Sequence, residues 1–329
     1  MPESLASLLE NTPEPFELVY VTGKLPKRVR AWIDQEAAIH GFIHINGGRH
    51  MTPAESRNAG LACARGEYVV FVENDIVFET GWLSALISCA DATHADAVAP
   101  LTCEGRPIHT TVHHVGPEQT NHDDFGDAPI GARDFDENFF LQGLTREEAA
   151  PMLGRRRTRY VEMHCFLARR DVLDRVGGFD PDIVSKEYLD FSWAVGAAGG
   201  AIWVEPKAVV TFLVPSESDP VQFGDLRYFL LRWSTSWQRR SHDALRAKWG
   251  FKEDGYIASR RNLADWRIIH HVVRPALAHV PVLGRHWGFV QRSVRVLSAP
   301  IMAASALFAW QYDRARRTES TGSPAHASV

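Results

Sequence analysis

The chain is poor in cysteine, and the four it has, Cys63, Cys89, Cys103 and Cys165, fall at irregular spacings with no C-x-x-C pair. That leaves no zinc or redox motif and reads as reduced thiols in a cytoplasmic protein. There is no G-x-G-x-x-G and no Walker A sequence, which argues against dehydrogenases and P-loop enzymes. The opening stretch, MPESLASLLENTPEP, lacks the basic n-region and the apolar core of a secretory signal. Long apolar runs are missing as well. The longest uncharged stretch, Val296 to Tyr312, contains Ser, Pro and Gln and falls short of the ~20 apolar residues a spanning helix needs. It reads as a helix packed on the body or lying on a membrane. No internal repeat is visible, and a Ser/Thr/Gly/Ala tail after Arg317 is expected to be disordered.

What is present is ordinary in bulk and uneven in detail. The 329 residues are 45% hydrophobic and 23% charged, enough for one large domain or two modest ones with ample core. The net charge of −4 hides an asymmetry. Residues 216–329 hold 17 Lys/Arg against 9 Asp/Glu, while residues 1–215 hold 19 against 31. The basic portion is rich in Trp and Arg, as in DLRYFLLRWSTSWQRRSHDALRAKWG. It is read as a peripheral membrane contact rather than a nucleic-acid surface, against the plainer alternative of a helix packing its aromatics on the body.

Along the first 215 residues, strand-like and helix-like segments alternate about every dozen residues, which predicts βα units and a largely parallel sheet. Thr52, Pro53 and Glu55 form a helix start signal, with Gly66 at the stop. Residues 104–158, rich in His, Asp, Gly and Arg, read as long functional loops. From Asp219 onward only helical patterns appear.

The most informative stretch is GEYVVFVENDIVFETGWL, residues 66–83. An apolar strand, Tyr68 to Val72, runs directly into Glu73-Asn74-Asp75. Two carboxylates at the end of a buried strand repel one another unless a cation sits between them, and hard oxygen ligands suit Mg²⁺ or Mn²⁺. In open α/β sheets such strand ends are where ligands bind. The bland alternative is a solvated turn.

The surroundings of that trio decide between these readings. Arg57-Asn58-Ala59-Gly60, Ala64-Arg65-Gly66-Glu67-Tyr68, Glu73-Asn74-Asp75 and Trp82-Leu83 together resemble the nucleotide-sugar half of family 2 glycosyltransferases. A second block, CFLARRDVLDRVGGFDPDIVSKEYLDFSWAVGAAGGAIWVEP, resembles the acceptor half of the same family. The two blocks come in the family's order and cover much of residues 16–215.

The resemblance implies an α/β fold of the GT-A type, a nucleotide-binding mixed sheet flanked by helices over residues 1–215. A helical basic region (216–317) and a disordered tail (318–329) would follow. It further implies an inverting, metal-dependent transfer of a sugar from a UDP-, GDP- or dTDP-sugar to a hydroxyl of a glycan or lipid-linked acceptor. The expected setting is surface-polysaccharide assembly, cytoplasmic or on the inner membrane face. Asp75, assisted by Glu73, would hold Mn²⁺ or Mg²⁺ on the diphosphate. Arg57, Asn58 and Asn74 would help bind the donor. Glu187, with Asp190 in reserve, would be the base that takes the acceptor proton; three residues apart, they share a helix face.

The sequence departs from the family in three places. The acidic cluster reads Glu187-Tyr188-Leu189-Asp190, with Tyr in the slot of the commonest base. Thr211 lies near the slot of a histidine that often assists the metal; His109, His113, His114, His122 and His164 are the compensating candidates, though as a group they read as polar loop residues. The family's opening strand is not seen, so the expectation is a longer working protein with an internal start here. The alternative function is a non-catalytic glycan- or nucleotide-binding relative. A nucleotidyltransferase, the third option, would want a Gly-rich basic loop near the N-terminus, which is absent.

Overall fold

The computed structural model describes residues 1–116, 140–214, 221, 223–250, 267–273, 275 and 287–322. His122 and the end of the C-terminal tail lie outside them. The chain divides into two compact units: Met1–Pro215 with Trp249–Phe251, and Ser216–Lys248 with Lys252–Val329.

The first unit opens with α1 (Pro2–Asn11), β1 (Val19–Thr22), α2 (Lys27–His40), β2 (Ile43–Asn46) and α3 (Pro53–Cys63). The sequence signal at Thr52 is realised as a capping box: the Thr52 side chain accepts from the Glu55 N–H, and Glu55 accepts from the Thr52 N–H. Next come β3 (Tyr68–Val72), β4 (Ile76–Phe78), α4 (Trp82–Thr93), β5 (Ala97–Glu104), β6 (Thr111–His114), α5 (Arg146–Ala149) and β7 (Arg156–Thr158). The unit closes with β8 (Cys165–Arg169), α6 (Arg170–Val176), α7 (Glu187–Ala197) and the long β9 (Ile202–Phe212).

Seven strands form one mixed sheet in the order β3-β8-β5-β9-β4, with β6 on β5 and β7 on β9. Only β5–β9 is parallel in it; β3–β8, β5–β8, β4–β9, β5–β6 and β7–β9 are antiparallel. The largely parallel sheet predicted from the βα alternation is thereby corrected. Alternation along the chain sets which strands are followed by helices, but direction depends on where the later strands β8 and β9 insert.

Strands β1 and β2 pair in parallel as a separate two-stranded sheet. Among the described residues no strand hydrogen-bonds β1 to β3.

The seven-stranded sheet is buried on both faces, as its apolar runs require. On β5, Ala97, Ala99, Leu101 and Cys103 join Phe71, Phe166, Phe179 and Phe191 on one side. Val98 joins Leu167, Val210, Trp82 and Leu86 on the other.

The second unit contains α8 (Leu226–Arg232), α9 (Thr235–Trp249, all but its last residue), a π-helical turn at Ile269–Val273 and α10 (Trp287–Gly322). Leu230, Ile268 and Val273 form its core, with Phe229, Trp233, Ile301, Met302 and Phe308 packed on it. Its arginines lie over its aromatics, Arg267 at 4.0 Å from the Trp233 ring and Arg240 at 5.6 Å from Trp237, which is fully buried. Among the described residues no helix is long and apolar enough to cross a membrane.

Candidate active site

The acidic trio is a corner. Glu73-Asn74-Asp75 carries the chain from the end of β3 to β4, and backbone bonds pin both ends of the corner. The Glu73 N–H donates to the His164 carbonyl (2.9 Å), and the Leu213 N–H, just past β9, donates to the Asp75 carbonyl (2.9 Å). Asn74 is exposed. Because β3 and β8 are antiparallel, with Val72 opposite Cys165, the residues after β3 meet the residues before β8. The corner therefore faces Glu162 and His164.

Four carboxylates and two imidazoles converge there. His164 Nδ1 lies 2.5 Å from Glu162 Oε1, and its Nε2 lies 3.7 Å from Glu73 Oε2. The rings of His164 and His113, the latter from β6, are 5.3 Å apart. His113 Nδ1 is 2.6 Å from Glu104 Oε2. Burial would lower the His164 pKa, but the charges of Glu162, Glu73 and Asp75 outweigh it and raise the imidazole to about 9. Burial likewise works to raise Glu162, and the imidazoles of His164, His114 and His113 reverse it, leaving that carboxyl at about 2. Glu73 and Asp75 are both raised, chiefly by desolvation. His114, next along β6, is fully buried and pushed down to about 3 by burial.

Arg57, on α3, ties this corner to the other half of the site. Its Nη2 donates to Glu73 Oε1 (3.2 Å) and its Nη1 to Glu187 Oε1 (3.1 Å). Glu187 opens α7 and is almost wholly buried. The structure thus brings together Arg57, Glu73, Asp75 and Glu187 from three separate stretches of chain.

The remaining residues named from the sequence are placed differently. Asn58 donates from Nδ2 to the Phe179 carbonyl (2.7 Å) and accepts from the Phe179 N–H at Oδ1 (2.9 Å). Its amide clamps α3 to the Gly177-Gly178-Phe179 turn. Asp190 is buried and accepts from the Trp249 indole N–H (2.7 Å). Tyr188 accepts from the Lys186 ammonium (2.6 Å). Thr211 is fully buried, and its hydroxyl meets both the N–H and Nδ1 of His109, each at 2.7 Å. The region expected as loops supplies strand β6, and His113 and His164 are part of the cluster rather than scattered loop residues.

Glu162 and Glu104 were not foreseen. The signal for Glu162 was its spacing: Glu162-x-His164 stands immediately before an apolar strand, as Glu73-x-Asp75 stands immediately after one.

The family model for "Glycosyl transferase family 2" matches residues 1–177. The chain belongs to that family. Its mixed sheet with flanking helices is the GT-A arrangement. This glycosyltransferase is 27% identical over 158 residues to a pre-mycofactocin glycosyltransferase of Mycobacterium tuberculosis, in each of two strains. The match covers 48% of this chain and spans only 29% of the relative's length.

Among solved structures it is similar to GalNAc-T7 with UDP, GalNAc and Mn²⁺ (14% identity, TM-score 0.49, 84% of this chain and 55% of that one). It is also similar to the mannosyltransferase PcManGT of Pyrobaculum calidifontis in complex with GDP-Man and Mn²⁺ (14%, 0.48, 94% and 82%). A third similar structure is TarS of S. aureus (14%, 0.44, 73% and 46%).

Proposed function

We propose that this family 2 glycosyltransferase moves a sugar, with inversion, from a nucleotide-diphosphate donor to a hydroxyl of a glycan or lipid-linked acceptor in surface-polysaccharide synthesis. The observation that carries the proposal is the Arg57 bridge, which joins the acid at the end of β3 to the acid at the start of α7. One side is suited to the donor diphosphate and the other to the acceptor.

The site fits a divalent cation. Among the described residues, Asp75 Oδ1 is buried without a hydrogen-bond partner, and an unmet buried polar atom beside carboxylates is what a bound ion satisfies. Such an ion, Mn²⁺ or Mg²⁺, would supply charge neutralisation to the leaving diphosphate. Asp75 and Glu73 would hold it. Arg57 fixes the position of Glu187. Glu187 then takes the proton of the acceptor hydroxyl as that oxygen attacks the anomeric carbon. Asp190, held by Trp249, is the reserve for this role. The basic, aromatic second unit would rest on the inner membrane face.

Thermal unfolding with UDP, GDP and dTDP, each with and without Mn²⁺, tests the donor half. A hundredfold excess over Kd adds about 2.7 kcal/mol, or roughly 5–11 °C for a domain of this size. One nucleotide giving a metal-dependent shift supports the proposal; no shift with any of them overturns it. A second reading, a non-catalytic binder, draws on the commitment of both Glu187 and Asp190 to protein partners. Asp75→Ala separates the two: an enzyme loses nearly all turnover, whereas a binder keeps its glycan affinity.

A further inference from the structure

We propose that His113, Glu162 and His164 form the seat of the cation, and that the seat takes a first-row transition metal ion such as Mn²⁺ or Co²⁺ in preference to Mg²⁺. The inference rests on the cation-assisted reading above. It changes which residues hold the ion and which ion they select, because the sequence points to Glu73 and Asp75 and to oxygen ligands alone.

Geometry is the first ground. One ligand atom from each of the three residues lies within 4.8 Å of the others. Donors on a single ion with bonds of about 2.1 Å stand roughly 3–4 Å apart, so side-chain adjustments of about an ångström suffice. The three come from two rigid stretches. His113 is in β6, paired to β5. Glu162 and His164 are held by a bond from the His164 N–H to Glu162 Oε2 (2.9 Å) and by the bond from Glu73 N–H to the His164 carbonyl.

The backing of the ligands is the second ground. Glu104 Oε2 stands 2.6 Å behind His113 Nδ1. A carboxylate there takes the Nδ1 proton and leaves the lone pair on Nε2, the arrangement by which metal-binding imidazoles are oriented. The centre of the Phe212 ring lies 4.0 Å from that of His164 and 5.8 Å from that of His113, both pairs tilted, giving the site an apolar wall.

The third ground is unmet demand. Asp75 Oδ1, on the open side, is buried without a partner. The Glu73 side chain, which also faces His164, is 40% exposed and leaves an entry path.

The donor set then decides the metal. A mixed imidazole and carboxylate set suits the first-row ions from Fe²⁺ to Zn²⁺ and, as the weakest binder of the row, Mn²⁺, whereas Mg²⁺ keeps to oxygen and water.

The test is metal binding by the full chain, stripped with chelator and given no nucleotide. Calorimetry should show one Mn²⁺ or Co²⁺ bound at least a hundredfold more tightly than Mg²⁺, with visible d–d absorption from bound Co²⁺. His113→Gln and His164→Gln should each weaken binding at least tenfold, and Glu104→Gln by 10–100-fold. Should a variant fail to fold, spin-echo spectroscopy of Mn²⁺ on the unmodified protein still decides, because imidazole ligands give nitrogen modulation. Equal affinity for Mg²⁺, no nitrogen modulation, or histidine variants that bind as tightly as the parent would overturn the seat. Tight, histidine-dependent binding in a chain that shows no nucleotide-dependent stabilisation would leave the seat standing and remove the donor reading instead.

Discussion

Arg57 and Glu187 lie 130 residues apart in the chain and are joined by a 3.1 Å hydrogen bond in the fold. Both side chains are largely buried, 10% and 7% exposed, while the second acid on the same guanidinium, Glu73, is 40% exposed. The energetics therefore concentrate on the Glu187 side, where loss of the guanidinium removes a charge partner from a buried carboxylate.

Arg57→Ala should cost about 3 kcal/mol, read as a fall in Tm of roughly 6–12 °C. Arg57→Lys keeps the charge but cannot span two carboxylates as a fork does. It should cost about half as much stability while reducing kcat/KM as severely as Ala. Differential scanning calorimetry paired with a transfer assay checks both, and a fully active Lys variant would refute the bridging role.

Asn58 should behave as a structural residue. Its amide makes two bonds to the Phe179 backbone, so Asn58→Ala leaves a buried N–H and C=O unmatched and should destabilise by about 1–3 kcal/mol. Gly178 has φ +76°, and a Cβ there would lie 2.7 Å from Asn58 Oδ1. Gly178→Ala should be at least as harmful, through strain and loss of the same clamp. Chemical denaturation measures both; nucleotide affinity per folded molecule should stay at the parental value.

The alkaline limit of stability should depend on two tyrosines. Burial, then a hydrogen bond donated to Asp91, raises Tyr68 to about 12. Burial, then the charge of Asp75, does the same for Tyr20. Between about pH 10 and 12 the folded chain holds protons that the unfolded chain has released, so stability falls as pH rises through this window and is intact below it. Tyr68→Phe should flatten that fall. A Tm-against-pH series with the same slope in variant and parent would contradict it.

Thiol chemistry should single out one cysteine. Cys63 is exposed, whereas Cys89, Cys103 and Cys165 are buried and reduced, their thiols pushed up by desolvation. A chromogenic disulfide should label one thiol rapidly in native protein and all four in denaturant.

The helices and longer strands of the first unit were legible because their signals are local: the Thr52 capping box and the five-residue apolar run of β3. Strands β4, β6 and β7, at three or four residues, are too short for alternation to register. The mix of strand directions is non-local: the βα alternation pointed to a largely parallel sheet, and the family resemblance alone implied a mixed one. At the site, Glu73 and Asp75 announced themselves as acids after a buried strand. Glu162 offered only the spacing of Glu162-x-His164 before a strand, and its importance depends on the antiparallel register that sets Cys165 against Val72. The bonds of Asn58, expected at the donor from the family resemblance, are visible only once the fold places Phe179 beside it.

The separation of β1–β2 from the main sheet bears on how this molecule breathes. A ribbon of two strands has no interior strand, and among the described residues neither β1 nor β2 shares a ladder with β3. Its amide protons are shielded by one neighbour each, whereas those of β5 and β8 sit within seven strands packed on both faces. In hydrogen exchange, Val19–Thr22 and Ile43–Asn46 should gain deuterium through sub-global openings, well before β5 and β8 do. Tyr20, whose titration feels Asp75, belongs to that early-opening ribbon, so one edge of the acidic corner is walled by the part of the unit that lets go first.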